Sequence, residues 1–123
     1  MRNVMVNVYN QINNAHSYKT YQGRASQSAT FPYAVYRLSP IDPTEKNRDD
    51  YSLEVSCWDK SEGTSHMRVV ELAEKVRDAL LDYRDVDDYN LLIVSRPSMG
   101  YIPDPDEQIK RYDVSATLMT YRR

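Results

Sequence analysis

Residues 51–83, YSLEVSCWDKSEGTSHMRVVELAEKVRDALLDY, decide the fold of this chain, because the spacing of the apolar side chains changes within them. From Tyr51 to Trp58 apolar and polar residues alternate, which predicts a strand with one buried face. From Ser65 to Tyr83 apolar residues recur at every third or fourth position, which predicts an amphipathic helix. A turn over residues 60–63 joins the two, and Thr64 or Ser65 can cap the helix. The predicted buried positions are Tyr51, Leu53, Val55 and Cys57 in the strand and Val69, Leu72, Val76, Ala79, Leu80 and Tyr83 in the helix.

The flanking sequence predicts a further helix, further strands and two long loops. An apolar helical face runs through residues 2–15, and a short strand is expected at residues 18–21. Strands are also predicted over residues 31–38, 91–94 and 109–121, and the continuous apolar run 91–94 favours a central strand covered on both faces. The predicted class is α+β, one domain over residues 1–123 in the order α-β-β-β-α-β-β. It has a mixed, mostly antiparallel sheet of about four to five strands packed against two helices.

Composition excludes several classes of protein. The net charge is −2, which argues against a protein whose main task is to bind nucleic-acid phosphate. The one cysteine, Cys57, rules out an intrachain disulfide, and its place in a strand predicts a buried, inert thiol. The sequence contains no signal-peptide pattern and no apolar run long enough to span a membrane. We therefore expect a protein folded in a reducing cytoplasm.

The sequence contains no recognisable catalytic, cofactor or metal site. His16 and His66 are isolated, and His66 is expected to face solvent in the first turn of the second helix. Only three glycines are present, too few for a phosphate-binding loop, and no motif of a common enzyme class occurs. The acidic runs in the loops and the basic pairs Lys110-Arg111 and Arg122-Arg123 are interpreted as solvated surface charge. We expect no enzymatic activity and no cofactor.

Tyrosine is the compositional outlier. The chain has 11 tyrosines but one phenylalanine and one tryptophan. Tyrosine combines a large apolar ring with a hydroxyl, and surfaces that bind other proteins are enriched in it. The same rings could also fill a small, half-wet core and flank the strands. Several of them are expected at a subunit interface.

The succession of elements over residues 31–83 resembles the tail-completion, or tail-terminator, proteins of long-tailed, siphovirus-like bacteriophages. The matching stretches are FPYAVY at residues 31–36, LEVSCW at residues 53–58 and VELAEKVRDAL at residues 70–80. The last predicted strand, residues 111–121, is similar to the last strand of that family. Together these stretches and the intervals between them cover about three-quarters of the chain.

The resemblance implies a structural protein of the virion, assembled in the host cytoplasm and located at the head-proximal end of the tail. Such proteins form a ring, of roughly six subunits, on the end of the tail tube. The ring stops tube polymerisation and provides the surface for head-tail joining. The implied partners are further copies of the chain, the tail tube protein and a head-completion or connector protein. Phage DNA would pass through the lumen without specific binding, and no membrane is involved.

Two charged, proline-containing loops, residues 39–50 and 97–107, are the candidate interface segments, since loops of this length are often functional. The candidate interface residues are Glu45, Lys46, Arg48, Asp49, Asp50, Met99, Tyr101, Asp104 and Asp106.

Three other functions fit parts of the pattern. A head-tail connector or neck protein is one, although the amphipathic helix at residues 65–83 counts against the small β-barrels common there. A small protein-binding module that uses an exposed strand is another. A hydrolase with dispersed acidic residues would need a concave pocket containing carboxylates of shifted pKa. An assembly protein would instead have flat faces that carry tyrosine.

Overall fold

The computed structural model describes residues 2–41, 46–61, 63, 65–81, 83–86 and 90–122. Within them the chain forms two helices and a sheet of seven strands. The helices are α1 (Arg2–Asn13) and α2 (Met67–Leu80). The strands are β1 (Lys19–Gln22), β2 (Tyr33–Pro40), β3 (Arg48–Lys60), β4 (Arg84–Val86), β5 (Asn90–Val94), β6 (Ser98–Ile102) and β7 (Ile109–Arg122).

The sheet is mixed and mostly antiparallel, as predicted, but it has more strands than expected. The strand order is β1-β2-β3-β7-β5-β4, and β6 also pairs with β7. Only the β1–β2 pair is parallel among these neighbours. The prediction of about four to five strands is therefore wrong, because β4 lies in a segment for which the sequence predicts no strand and β6 lies in the predicted loop over residues 97–107.

The two longest strands, β3 and β7, form the backbone of the sheet. They pair antiparallel from Arg48 opposite Tyr121 to Lys60 opposite Ile109. At a rise of about 3.3 Å per residue, this ladder is about 40 Å long. The predicted loop over residues 39–50 is correspondingly shorter, because β2 extends to Pro40 and β3 begins at Arg48.

The core lies between the helices and one face of the sheet. The alternation predicted for β3 is confirmed, since Leu53, Val55 and Cys57 are fully buried. Helix α2 contributes the buried residues Val69, Leu72, Ala73, Val76 and Leu80. Helix α1 ends two residues earlier than predicted and buries Val4, Val8 and Ile12. Neither helix in the described part of the chain is long and apolar enough to cross a membrane.

Strands β5 and β6 pair one after the other with the same side of β7, the side opposite β3. Val94 lies opposite Leu118 and Ser98 lies opposite Ser115. Three residues on one strand therefore face two on the other, which is the pattern of a β-bulge. Ser95 closes the gap, because its backbone N–H donates to the Thr117 carbonyl at 2.8 Å and its Oγ accepts from the Thr117 N–H at 2.8 Å.

Strand β5 lies one strand from the edge rather than at the centre of the sheet. It is flanked by β7 and by the three-residue edge strand β4. Leu92 and Val94 are buried on the helix side, whereas Leu91 and Ile93 are half-buried on the other face. The expectation of a central strand covered on both faces is therefore wrong.

Candidate assembly surface

The structure separates the candidate interface residues into two groups along the β3–β7 ladder. One group lies where β3 begins and β7 ends. The other begins at Met99, which lies opposite Val114 near the middle of the ladder, and continues to the loop between β6 and β7, where β3 ends and β7 begins. The loop between β6 and β7 therefore lies at the far end of a ladder about 40 Å long, whereas Met99 lies between the two ends. Glu45 lies outside the described residues.

At the first end, the charged residues already have partners within the chain. Arg48 Nη2 donates to Asp50 Oδ2 at 3.0 Å, and Arg122 Nη2 donates to Asp49 Oδ2 at 3.0 Å. The Arg48 guanidinium also lies 5.8 Å from the centre of the Tyr121 ring. Arg48, Asp49 and Asp50 all belong to β3. Arg48 and Asp49 link it to β7 through Tyr121 and Arg122, and Asp50 pairs with Arg48 on the same strand, whereas Lys46 is exposed in the turn before β3.

At the second end, Met99 and Tyr101 lie in strand β6 rather than in a loop. Met99 is half-buried against the core, whereas the Tyr101 side chain is 48% exposed. In the loop that follows, the Asp106 N–H donates to Asp104 Oδ1 at 2.9 Å, and the Gln108 N–H donates to Asp106 Oδ1 at 3.0 Å. These side-chain to backbone bonds are typical of structured turns.

An aromatic cluster connects β6 to the start of α2. The centre of the Tyr101 ring lies 5.4 Å from that of Tyr112 and 5.2 Å from that of His66. The His66 and Tyr112 rings are 6.0 Å apart at 84°. Edge-to-face contacts of this kind are favourable. The expectation that His66 is a solvent-facing residue of the helix is wrong, because it precedes α2 and packs on two tyrosines.

A buried lysine beside this cluster joins the segment before α2 to the loop before β7. Lys110 is 5% exposed, and its Nζ donates to the Gly63 carbonyl at 3.1 Å and to the Glu107 carbonyl. Next to it, the buried Asp59 accepts from Arg68 Nε at 2.9 Å. Buried charges need such partners, since unpaired ones are costly. Lys110 is thus a structural residue and not the solvated charge that the sequence suggested.

The sheet face that points away from the helices carries a second set of charges. Arg111 donates to Asp113 through Nε at 2.8 Å and through Nη2 at 2.9 Å, and its guanidinium lies 4.8 Å from the centre of the Trp58 ring. Arg37 pairs with Glu54 at 3.2 Å. Both arginines donate to Ser56 Oγ, and this serine is buried between its paired residues Val35 and Asp113, which are also buried.

The electrostatics of these groups indicate structural pairing. Burial would raise the pKa of Asp113, but the hydrogen bonds from Arg111 and its other neighbours outweigh burial and lower that pKa. The hydrogen bond to Asp113 raises the pKa of Arg111 in turn. Burial raises the pKa of the Cys57 thiol to about 12, which agrees with the predicted inert cysteine.

The described residues contain shallow clefts but no cluster of metal-binding side chains. One cleft lies between α2 and β6 and is lined by Arg77, Asp78, Leu81, Arg96, Pro97 and Met99. A second lies beside the aromatic cluster and is lined by Gly63, His66, Tyr101, Asp104, Glu107, Ile109 and Lys110. Among the described residues that line these two clefts, none forms a nucleophile paired with a base.

Sequence reasoning missed His66, Tyr112 and Lys110 as members of the second end. Lys110 and Tyr112 occupy positions on β7 whose side chains face the helices, as the alternation through Val114 and Leu118 indicates. That alternation was the available signal for them. The position of His66 depends on β6, which the sequence did not predict.

Comparison with known proteins identifies the family. The family described as Tail completion protein gp17 matches residues 10–121. A solved structure matches with a TM-score of 0.63 over 100% of this chain and 96% of that chain, at 11% identity, which shows a shared fold. No curated protein matches the sequence. Because the family match spans almost the whole described fold, the chain belongs to the phage tail completion protein gp17 family, a family of structural proteins of virion assembly.

Proposed function

We propose that this chain forms a ring on the head-proximal end of a phage tail tube, ends tube polymerisation there and presents a surface for head-tail joining. The ring has about six subunits, in keeping with the common preference of oligomers for closed symmetry. The whole chain acts as one domain in this role, and the activity requires no catalysis and no cofactor.

The observation that carries this proposal is the two-ended distribution of candidate residues in a chain of a tail completion family. One end has Lys46 and the paired charges of β3, and the other has Tyr101, Asp104 and Asp106. A cap between a tube and a head must bind a different protein on each of its two end faces. A subunit with a rigid ladder about 40 Å long supplies two such faces.

The proposed partners follow from this arrangement. One end face contacts the last ring of the tail tube protein, and the other contacts a head-completion or connector protein. Subunits contact one another through their sides, and a mildly acidic chain of net charge −2 would not retain DNA that passes through the lumen.

The proposal is tested by adding purified protein to polymerising tail tube protein and measuring tube length by electron microscopy. We expect shorter tubes, each with a closed ring at one end, and a mass for that ring near six subunits. Tubes of unchanged length without terminal density would contradict the proposal. Density at the head vertex instead of the tube end would favour a connector function.

A further inference from the structure

Strand β6 has an unpaired edge that is not protected by charged side chains. It pairs with β7 on one side, and none of the described strands pairs with its other side. Edge strands are commonly protected from pairing by charged side chains. The sequence of β6, SMGYI, has none, and Tyr101 and Ile102 are 48% and 36% exposed. Pro97 and Pro103 flank it and limit any further pairing to these five residues.

Strand β1 is the edge on the opposite side of the sheet. It pairs only with β2 among the described strands, and it contains Lys19, Thr20, Tyr21 and Gln22. A ring that closes by rotation joins two different surfaces of neighbouring subunits. Apart from the three-residue edge strand β4, the described sheet therefore has one unpaired edge on each side, β1 and β6, and a ring with a shared sheet requires one such edge on each side of its subunit.

We infer that β1 of one copy pairs antiparallel with β6 of the next copy, so that the sheet continues from subunit to subunit around the ring. This inference rests on the proposed ring and names the surfaces through which its subunits meet. It is a case of strand addition, in which backbone hydrogen bonds join two sheets.

The direction of the pairing follows from the topology. Strands β1, β2 and β7 run in one direction and β3 and β6 run in the opposite direction. In a ring whose axis lies along the strands, all copies of β1 point the same way, so β1 must meet β6 antiparallel. The charges agree, because this orientation places Lys19 opposite Ile102, two residues before Asp104, whereas a parallel one would place it opposite Ser98, two residues after Arg96.

The register follows from ring closure. Residues paired in succession across the sheet form rows, and one such row is Tyr21, Val35, Ser56, Asp113 and Gly100. If Tyr21 of one copy lies opposite Gly100 of the next, the row continues without a shift along the strands. A contact without such a shift closes into a flat ring, whereas a shifted contact would generate a helical filament.

The local chemistry fits this register. A Cβ at Gly100 would have no heavy atom within 4 Å, so there is space above this residue. Tyr21 lies in the row of Gly100 and already contacts Tyr33 edge to face at 5.8 Å. An aromatic ring that covers a glycine on a neighbouring strand is a recognised way to stabilise an edge. Two rows further along, on the same face, Lys19 pairs with Ile102 in the same way.

Disulfide cross-linking tests the pairing. The double variants Tyr21→Cys/Gly100→Cys and Lys19→Cys/Ile102→Cys place two thiols opposite each other across the proposed contact. Paired residues on antiparallel strands have Cα atoms about 4.5 to 5.5 Å apart, within the range of a disulfide. After oxidation, we expect more than about half of the tube-bound protein to run on denaturing gels as a series of cross-linked species, from dimer to closed ring. Native Cys57 is buried and does not compete.

The matched control is Lys19→Cys/Tyr101→Cys, in which the thiols lie on opposite faces of the shared sheet. It should remain monomeric on denaturing gels. The inference would be overturned if the control formed as many cross-linked species as the test variants. It would also be overturned if neither test variant formed cross-linked species on capped tubes, or if the chain cross-linked to the tube protein instead. If rings form on the tubes but the test variants give no cross-linked species, only the strand pairing is contradicted. If the concentrated free protein forms the cross-linked species but does not cap tubes, the pairing is supported and the proposed function is contradicted.

Discussion

Among single residues, Tyr36 has the clearest structural role. Its ring is fully buried, and its hydroxyl donates to the Met5 carbonyl at 2.9 Å, which ties the sheet to helix α1. Burial raises its pKa to about 12, so the hydroxyl remains protonated at physiological pH. The sequence predicted this tyrosine in a strand, but nothing in the sequence indicates which of the 11 tyrosines makes such a bond.

Tyr36→Phe should lower the free energy of unfolding by about 1 kcal/mol, because the bond is lost while the ring still packs. Urea denaturation monitored by circular dichroism measures the change. Tyr9→Phe is the control, since the Tyr9 ring packs 6.3 Å from Tyr36 and is half-buried. Equal losses for both variants would mean that the hydroxyl of Tyr36 contributes nothing specific.

Asp113 should make the stability of the protein sensitive to acid. Its pKa is lowered in the folded state, so its contribution is present above the ordinary value of about 3.9 and is lost as the pH falls through the folded value. We expect Asp113→Asn to be less stable than the wild type near neutral pH and the difference to shrink in acid. Urea midpoints between about pH 7 and pH 3 measure it. A difference that does not change with pH would contradict this assignment, and the exposed Asp78→Asn is the control.

At the scale of elements, the sequence predicts the helices and strands that bury one face and expose the other. Strand β3, strand β7 and helix α2 each have a regular buried face, so their side-chain period is visible in the sequence. Strand β6 is mostly exposed and lies between two prolines, so neither alternation nor apolarity reveals it. Its pairing with β7 is a tertiary contact, and the sequence alone therefore predicts a loop at the candidate residues Met99 and Tyr101.

Lys110 should stabilise the segment at Gly63 and the loop at Glu107, which both lie at one end of the sheet. Lys110→Met keeps an apolar stem but leaves the Gly63 and Glu107 carbonyls without this donor. We expect a loss of about 1 to 3 kcal/mol in the free energy of unfolding and faster proteolysis near residues 103–108. Limited proteolysis with mass spectrometry locates the cuts.

The control for that variant is Lys60→Met, because Lys60 lies on the same strand pair but is exposed. If both variants are cut at the same rate, the buried ammonium does not fix the loop.

At the scale of the whole molecule, the class and the order of most elements followed from the sequence, but the placement of the candidate residues did not. Two loops far apart in the sequence could have met at one site. The antiparallel pairing of β3 with β7 instead puts them at opposite ends. Register of this kind depends on contacts between residues about sixty positions apart, which local patterns do not encode.

Opposite charge reversals at the two ends should affect different joining steps. Lys46→Glu changes the first end, and Asp106→Lys changes the second, while both side chains are exposed. We expect each variant to weaken one step, tube capping or head joining, by about tenfold and to spare the other. In vitro assembly with purified tubes and heads measures both steps.

Glu74→Lys on the exposed face of α2 is the control for these variants and should leave both steps unchanged. If Lys46→Glu and Asp106→Lys impair the same step equally, the two ends do not serve separate partners.

The contact between Trp58 and Arg111 gives the molecule its own optical probe. Trp58 is the single tryptophan of the chain, and it lies on the central ladder under a guanidinium 4.8 Å from its ring. Its emission can be excited apart from that of the tyrosines and will respond when this ladder separates or when another protein covers the open sheet face. Folding and docking can therefore be followed by fluorescence without attaching a dye.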